Sequence, residues 1–383
     1  MIVPGEQIGI LGGGQLGLFF AASAKQMGYK VVVWDSDPNA PASLWADAFI
    51  AADFEDPQAM QSFLKDTQAV TYEWENIPAR LVEGIEKTVR VCPGSRVLRL
   101  LQNRVVQKQF LKDQRLPVTP FEAFQDSKAL PGLVDALGMP CIVKTATSGY
   151  DGRGQWSIES LQEAHTLSES LQSQPHFTGW IIEKRVSYLK ELSVIVAQSE
   201  SGEVHAYPIA ENQHENGILR MSRVPAQIDS DVVSHVVSIA KKTVKALGEA
   251  GVFCVEMFLL HHGEILINEI APRPHNSGHY TMDVCSVSQF EQQVRMLCGL
   301  PLIEPRLFSD AILINLLGDE INRLHASEPL RQILSRSGIR LYHYRKQAVR
   351  AGRKMGHLLI MEQAAEKAME QAQEILALIR GCV

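Results

Sequence analysis

Residues 251–279 read GVFCVEMFLLHHGEILINEIAPRPHNSGH. Val252–Leu260 and Glu264–Ile270 are apolar runs split by His261-His262-Gly263, the pattern of a β-hairpin. With His262-Gly263 at a tight turn, Glu256 falls directly opposite Glu269, where facing side chains have Cβ atoms roughly 4.5–5.5 Å apart. The flanking residues are apolar: Phe253, Cys254, Val255 and Met257 on one strand, Ile265, Leu266, Ile267 and Ile270 on the other. Two carboxylates in such a place repel each other and are costly to bury. Either one carries a proton or a cation lies between them. Asn268 adds a neutral oxygen beside Glu269, and oxygen-only ligation by few protein groups suits Mg2+ (or Mn2+), which completes its shell with water and phosphate oxygens. A slipped register that exposes one glutamate is the competing reading.

Upstream, Cys141-Ile142-Val143-Lys144 reads as a buried strand ending in a lysine, whose charge needs an anionic partner. The next segment, Ser148-Gly149-Tyr150-Asp151-Gly152-Arg153-Gly154-Gln155, is glycine-rich. Such loops bring backbone N–H groups close to phosphate oxygens and can close as a lid, although a plain surface loop has the same composition.

The N-terminal hundred residues alternate strand and helix: Ile8–Leu11, a helix over Leu16–Met27 ended by Gly28, Val31–Trp34 and Ala69–Thr71. That alternation argues for a parallel sheet with helices on both faces. Gly12-Gly13-Gly14-Gln15-Leu16-Gly17 lies between the first strand and its helix, and Asp35 ends the next strand. Taken alone, these residues read as an NAD-dependent oxidoreductase. The same turn accepts any phosphate or ribose at a helix N-terminus, so it argues for a doubly wound domain more than for NAD. After Asn103 the texture changes. Val105–Leu111 reads as a helix, and a strand region opens at Leu116-Pro117-Val118. Trp180–Glu183 and Glu191–Val196 read as strands and Val232–Leu247 as an amphipathic helix. Pro301–Pro305 reads as a linker. The tail carries short strands near Ala311–Leu316 and His357–Ile360, a basic segment from Tyr344 to Lys354 and a last helix from Gln363.

The 383 residues are 45% hydrophobic and 21% charged, an ordinary globular balance, and the net charge of −6 argues against a general nucleic-acid binder. The six cysteines form no CxxC pair and sit mostly in apolar stretches, as buried thiols of a reducing cytoplasm do. No run approaches the 18 or so apolar residues of a membrane span, and no signal peptide is read at the N-terminus. A soluble, cytoplasmic protein is expected.

These pieces, in this order, resemble the ATP-grasp superfamily, and within it the 5-(carboxyamino)imidazole ribonucleotide synthetase (PurK) family. The resemblance is carried by GILGGGQLG (9–17), VTYEWENIP (70–78), QNR (102–104), GYDGRGQ (149–155), ENQHENGIL (211–219), NEIAPRPHNSGH (268–279), SQFEQQVR (288–295), CGLPL (298–302), NLLGD (315–319) and GRKMGH (352–357). It spans nearly the whole chain. The implied fold is α/β and α+β: a doubly wound parallel-sheet domain (1–103), an ATP-grasp domain (104–305) and a small β-rich C-terminal domain (306–383). The implied reaction joins ATP, bicarbonate and 5-aminoimidazole ribonucleotide to give the N-carboxylated product, ADP and phosphate through carboxyphosphate. A homodimer is implied as well.

Carried onto matching positions, the resemblance makes Arg104 and Lys144 phosphate-side ATP ligands and Gly149, Tyr150, Asp151, Gly152, Arg153, Gly154 and Gln155 the lid. Glu183, Lys184, Arg185 and Val186 resemble the segment that reads adenine, Glu191 the ribose-binding acid and His214 the nucleotide-site histidine. Glu256 and Glu269, with Asn268, fall where the family holds its metal. Arg273 is expected to steady the transferred phosphoryl group. Lys346, Arg353 and Lys354 suit the ribonucleotide phosphate, with Gln15, Leu16 and Glu75 from the N-terminal domain. Tyr150, Asp151, Arg153, His275 and Asn276 would surround the imidazole and bicarbonate. His275 and His279, four apart, are read as polar loop residues rather than zinc ligands. Ala146-Thr147-Ser148 and Leu18 depart from residues common in the family.

Other classes are a formate-using glycinamide ribonucleotide transformylase, the NAD-dependent oxidoreductase and a non-catalytic binding module. The first lacks the GYDGRGQ and PRPHNSGH pair. The second leaves Lys144 and the paired glutamates unexplained. The third conflicts with a complete set of ligand types.

Overall fold

Gln7–Leu11 (β1) is buried along its apolar length and forms the middle of a parallel sheet. Its neighbours are β2 (Lys30–Asp35), β3 (Ala48–Ala51), β4 (Thr67–Tyr72) and β5 (Arg90–Val91), in the order β3-β2-β1-β4-β5. The chain is described from a computed structural model that covers residues 1–147, 149, 154–172, 178–325 and 328–381; Tyr150, Asp151, Gly152 and Arg153 lie outside the described residues. The strand order reverses between β1 and β4, the switch point where doubly wound sheets bind ligands. The helix Gln15–Gln26 packs Leu16, Leu18, Phe19 and Phe20 on the sheet, and Gly28 ends it at φ +86°.

A second, antiparallel sheet holds β6 (Phe121–Phe124), β7 (Cys141–Thr145), β8 (Gln155–Ile158) and β9 (Trp180–Lys184), ordered β6-β9-β7-β8. The strand read at Leu116-Pro117-Val118 does not form there; Val118 makes only an isolated bridge to Ile267.

The third sheet is the largest. Its strands are β10 (Tyr188–Gln198), β11 (Val204–Ala206), β12 (Ala210–Glu215), β13 (Ile218–Val224), β14 (Gly251–Leu260), β15 (Ile265–Ala271), β16 (Asp310–Leu317), β17 (Ile339–His343) and β18 (Lys354–Glu362). They run β15-β14-β10-β12-β13-β16-β18-β17, with β11 beside β10. The helix Ser230–Leu247 buries Val236, Ile239, Val244 and Leu247 against β10 and β14. The segment read as a β-rich C-terminal domain adds its strands to this same sheet through β13 and β16, and the helix Ala365–Arg380 covers it. Continuity through β16 and β18 carries the basic tail to the edge of the central site.

The β14–β15 hairpin forms, with a different turn. Leu260 N donates to Glu264 O at 2.8 Å, and Gly263, at φ +82°, closes the loop His261-His262-Gly263. This pairs Leu259 with Ile265, Phe258 with Leu266 and Met257 with Ile267. Continued unbroken, that register would face Glu256 with Asn268. A β-bulge intervenes, and Glu256 pairs with Glu269. The outer edge of β15 is pinned on both sides of the bulge. Ile267 N donates to Pro117 O at 2.8 Å, and Lys108 Nζ donates to Ile267 O at 3.3 Å. The Gln107 amide accepts from Ile270 N at 2.9 Å and donates to Ile270 O at 3.3 Å. The carboxylates face each other because a bulge compensates for a longer turn.

Candidate functional site

The bulge decides what the β14 and β15 residues can do. An extra residue brings Asn268 and Glu269 together opposite Glu256. Burial, and then the charge of Glu269, push the Glu256 carboxyl up to about 7. Asn268 Oδ1 is buried and has no hydrogen-bond partner among the described residues. Two opposed carboxylates and an orphaned amide oxygen make an oxygen-only donor set that fits a hard divalent cation.

Facing this wall is a buried charge cluster from the second sheet. Lys144 on β7 meets Glu183 on β9 at 3.2 Å, and Lys108 meets the same oxygen at 3.5 Å. Lys108 also donates to Thr119 Oγ1 at 2.8 Å. Against the cost of burial, Lys144 and then Lys108 hold Glu183 down to about 2, so it is ionised throughout the physiological range. The anionic partner that Lys144 needs is therefore already present in the protein. Burial lowers the Lys108 pKa while Glu183 raises it, and the cluster sets Lys144 opposite the carboxylate pair, an arrangement that can grip an anion bridged by a cation.

Arg104 stands at the mouth. Its guanidinium donates to Thr145 O at 3.0 Å and to Gly149 O at 2.7 Å, which ties the start of the glycine loop to the helix Arg104–Asp113. The side chains of Lys184 and Arg185 turn away: Lys184 Nζ donates to Gly138 O and Met139 O, and Arg185 pairs with Glu159. Any reading of a ligand by this segment falls to its backbone. On β10 and β12, Glu191 pairs with His214 Nδ1 and accepts from Tyr188 O–H at 2.5 Å. Against the burial cost, the Glu191 hydrogen bond raises the His214 pKa.

At the seam with the parallel sheet, Arg273 and Glu75 come together as a two-pronged ion pair. The GGGQLG turn next to it is filled by the protein itself. Glu73 accepts from Gly14 N and from Gly17 N at 2.7 Å, and Asp35 Oδ2 accepts from Gly13 N at 2.6 Å. A Cβ on Gly14 would collide with the Glu73 carboxylate, and one on Gly17 would lie 2.6 Å from Gly12 O. These glycines admit an internal carboxylate to the helix N-terminus, the position a dinucleotide pyrophosphate would need. This is the physical reason the NAD reading fails.

The basic tail arrives at the same place. Lys346 Nζ donates to Gln15 Oε1 at 2.9 Å and to Lys354 O at 2.8 Å. Lys346 and Arg353 line a cavity of about 320 Å3 with Gly12, Gly14, Asp35 and Glu73. The charge of Lys354 bears on Glu256, His214 and His275, so it faces the space between the metal strand and this cavity. Leu16 is different: its side chain is in the core, and only its backbone can serve a ligand. Asn276 exchanges amide hydrogen bonds with Asn315, at 3.1 and 2.6 Å, and so clasps the loop to β16. His275 Nε2 lies 3.3 Å from Glu256. His279 is fully buried, packed edge-on to Phe19, with its Nδ1 on Gln289, and does not pair with His275 to bind zinc.

The residues that sequence reasoning missed are Lys108, Gln107 and Glu73. Lys108 sits in a helix whose other lysine, Lys112, is exposed, so composition alone does not separate them.

Three family models match the chain: a ribonucleotide synthetase pre-ATP-grasp domain over residues 6–102, an ATP-grasp domain over 109–290 and a phosphoribosylaminoimidazole carboxylase C-terminal domain over 311–371. The N5-carboxyaminoimidazole ribonucleotide synthase of Bacillus subtilis (strain 168) is 40% identical over 371 residues, covering 97% of this chain and 95% of its own. That of Brucella melitensis is 37% identical over 357 residues, covering 93% and 96%. The crystal structure of an ADP complex of an N5-carboxyaminoimidazole ribonucleotide synthetase aligns with TM-score 0.91 at 41% identity, covering 98% of this chain and 97% of the other. The Aspergillus clavatus enzyme, crystallised with ADP and 5-aminoimidazole ribonucleotide, aligns with TM-score 0.87 at 27% identity, covering 98% of each.

Proposed function

The chain belongs to the N5-carboxyaminoimidazole ribonucleotide synthase family of ATP-grasp ligases, and we propose that it carries out the family reaction with bicarbonate as the carbon source. It is an ATP-dependent enzyme of purine biosynthesis that carboxylates 5-aminoimidazole ribonucleotide. The observation that carries the residue-level reading is the bulge at Asn268, which sets Glu256 and Glu269 face to face across from Lys144, Glu183 and Lys108.

Glu256, Glu269 and Asn268 would hold Mg2+ (or Mn2+), which would supply charge neutralisation to the phosphates. Lys144 and Arg104 bind phosphate oxygens, with the loop from Gly149 to Gln155 as the cover. The backbone from Glu183 to Val186 reads the base, and Glu191 with His214 holds the ribose. Arg273 is kept charged by Glu75 and aims at the phosphoryl group as bicarbonate oxygen attacks phosphorus and ADP leaves. The carboxyphosphate so formed carboxylates the substrate amine and releases phosphate. Exclusion of water protects it in the interval. Lys346 and Arg353 take the phosphate of the ribonucleotide in the 320 Å3 cavity, and Gln15 and the Leu16 backbone support it. Lys354 reaches the same phosphate from the side of Glu256, and His275 lies between the two substrates.

All five described cysteines are free, and no helix among the described residues is long and apolar enough to cross a membrane. The family resemblance supports a cytoplasmic homodimer. Phosphate release, followed with each of ATP, bicarbonate and 5-aminoimidazole ribonucleotide omitted in turn, tests the reaction. Turnover that needs formate in place of bicarbonate would refute it.

A further inference from the structure

Behind Glu256 runs a line of buried polar side chains that the reaction as described does not use. Ser222 Oγ on β13 is 2.7 Å from Asn212 Oδ1 on β12. Asn212 Nδ2 is 2.8 Å from Ser193 Oγ on β10, and Ser193 Oγ is 2.7 Å from Ser277 Oγ. Ser277 Oγ is 2.9 Å from His275 Nδ1, and His275 Nε2 is 3.3 Å from Glu256 Oε1. Ser193, Asn212, Ser222 and Ser277 are all buried. The line crosses β13, β12 and β10 and ends at a carboxylate of the metal wall.

Hydrogen-bond chemistry gives the line a direction. The Ser277 backbone N–H points at His275 Nδ1 at 3.4 Å, so that nitrogen accepts and carries no proton. The ring is then neutral, with its proton on Nε2, where it donates to Glu256. An accepting Nδ1 takes the Ser277 hydroxyl proton. Ser277 Oγ can then accept from Ser193 O–H. Ser193 in turn accepts from Asn212 Nδ2, and Asn212 Oδ1 accepts from Ser222 O–H. In this assignment Asn212, Ser193 and Ser277 each both donate and accept along the line.

We propose that Ser277, backed by Ser193 and Asn212, is a positioning residue that fixes His275 in the Nε2–H tautomer, so that the ring presents a donor to Glu256 and to the substrate space beside it. A His held this way steadies an anionic oxygen and is barred from acting as a base through Nε2. The outer partners of a metal-site residue set its orientation in the same manner.

The kinetic consequence rests on the proposed reaction; the tautomer does not, so the two can fail separately. In 15N-histidine-labelled full-length protein, the His275 signal is identified by its loss in His275→Asn. Nitrogen shifts then report which ring nitrogen is protonated. The expected result in the unsubstituted protein is a protonated Nε2 and a bare Nδ1 across neutral pH. A protonated Nδ1 overturns the proposal with no other variant needed. Ser277→Ala keeps the backbone N–H and so the bare Nδ1, but loses the hydroxyl that orients the ring; kcat should fall about 10-fold or more, as for lost second partners of metal-site residues, with the KM for ATP changed less than about threefold. An unchanged kcat in this variant overturns it as well.

Discussion

Arg273 and Glu75 clasp the segment after β15 to the N-terminal domain: Arg273 Nη2 donates to Glu75 Oε1 at 3.0 Å while Nε bonds the other oxygen. Their side chains keep 15% and 24% of their exposure. Removing one member strands the charge of the other, and Glu75→Gln should cost about 2 kcal/mol, below the ~3–5 of a fully buried pair because both groups remain partly wet. Urea unfolding of Glu75→Gln, Arg273→Met and the double variant measures this. The double variant should be less destabilised than the two single losses added together. Simple additivity would mean that the clasp does not couple the domains.

The metal wall should respond to pH in a defined direction. Burial and Glu269 raise the Glu256 pKa from 4.5 in the unfolded chain to about 7 in the fold. The folded protein therefore binds more protons between these values, and stability falls as pH rises through that window. A cation offsets the cost by replacing the proton, so its effect must grow with pH. Mg2+ should raise Tm more at pH 8 than at pH 6. Glu269→Gln should abolish most of the Mg2+ response and nearly all turnover, while its far-ultraviolet circular dichroism stays unchanged. Equal Mg2+ shifts at both pH values, or retained turnover at ordinary Mg2+, would remove the metal role.

The opposed glutamates were legible because each interrupts an apolar run, and a strand pattern makes such breaks conspicuous. Their pairing depends on a bulge that was not legible, since it is held by Gln107, Lys108 and Pro117 from another segment. The edge strands β3 and β17 were missed for a related reason. Both are half exposed, so neither shows an apolar run. Glu73 lies in a motif that could be quoted from the sequence, but its contact with Gly14 and Gly17 joins the ends of β1 and β4 and has no local signature. Ser193, Asn212 and Ser277 meet only because three separated segments meet.

The internal carboxylate at the glycine turn should exclude dinucleotides. NADH should show no saturable binding, by fluorescence, under conditions where Mg-ATP binds. Gly17→Ala places a methyl 2.6 Å from Gly12 O, a backbone atom that cannot swing aside. It should destabilise the protein by about 1–3 kcal/mol, the range for overpacking, read from the urea midpoint. Tight NADH binding would reinstate a dinucleotide role for this turn.

Lys108 links the second sheet to the bulge through Glu183 and Ile267 O. Lys108→Met keeps most of the volume and removes the charge. Glu183 then keeps Lys144 alone, and Ile267 O loses a donor beside the metal strand. The expected outcome is weaker Mg-ATP binding, about tenfold by calorimetry, as when a second partner of a metal site is lost. Binding of the ribonucleotide should hold, because Lys346 and Arg353 line the separate cavity beside Gly12, Asp35 and Glu73. Unchanged Mg-ATP affinity would reduce Lys108 to a packing residue.

Lys354 tests the division of labour between the two ends of the site. It starts β18, and its carbonyl anchors Lys346, which in turn holds Gln15. Its side-chain charge reaches Glu256 and His275. Lys354→Ala keeps the carbonyl, so the Lys346–Gln15 bond survives and only the ammonium is lost. The KM for 5-aminoimidazole ribonucleotide should rise at least about tenfold, the scale of a charge-assisted hydrogen bond of about 1.5–3 kcal/mol, with little change in the KM for ATP. Salt sharpens the test, because a phosphate contact through Lys354 makes the nucleotide KM of the unsubstituted enzyme rise with ionic strength more steeply than that of the variant. An unchanged nucleotide KM with parallel salt curves would move Lys354 out of the phosphate site and leave the cavity to Lys346 and Arg353.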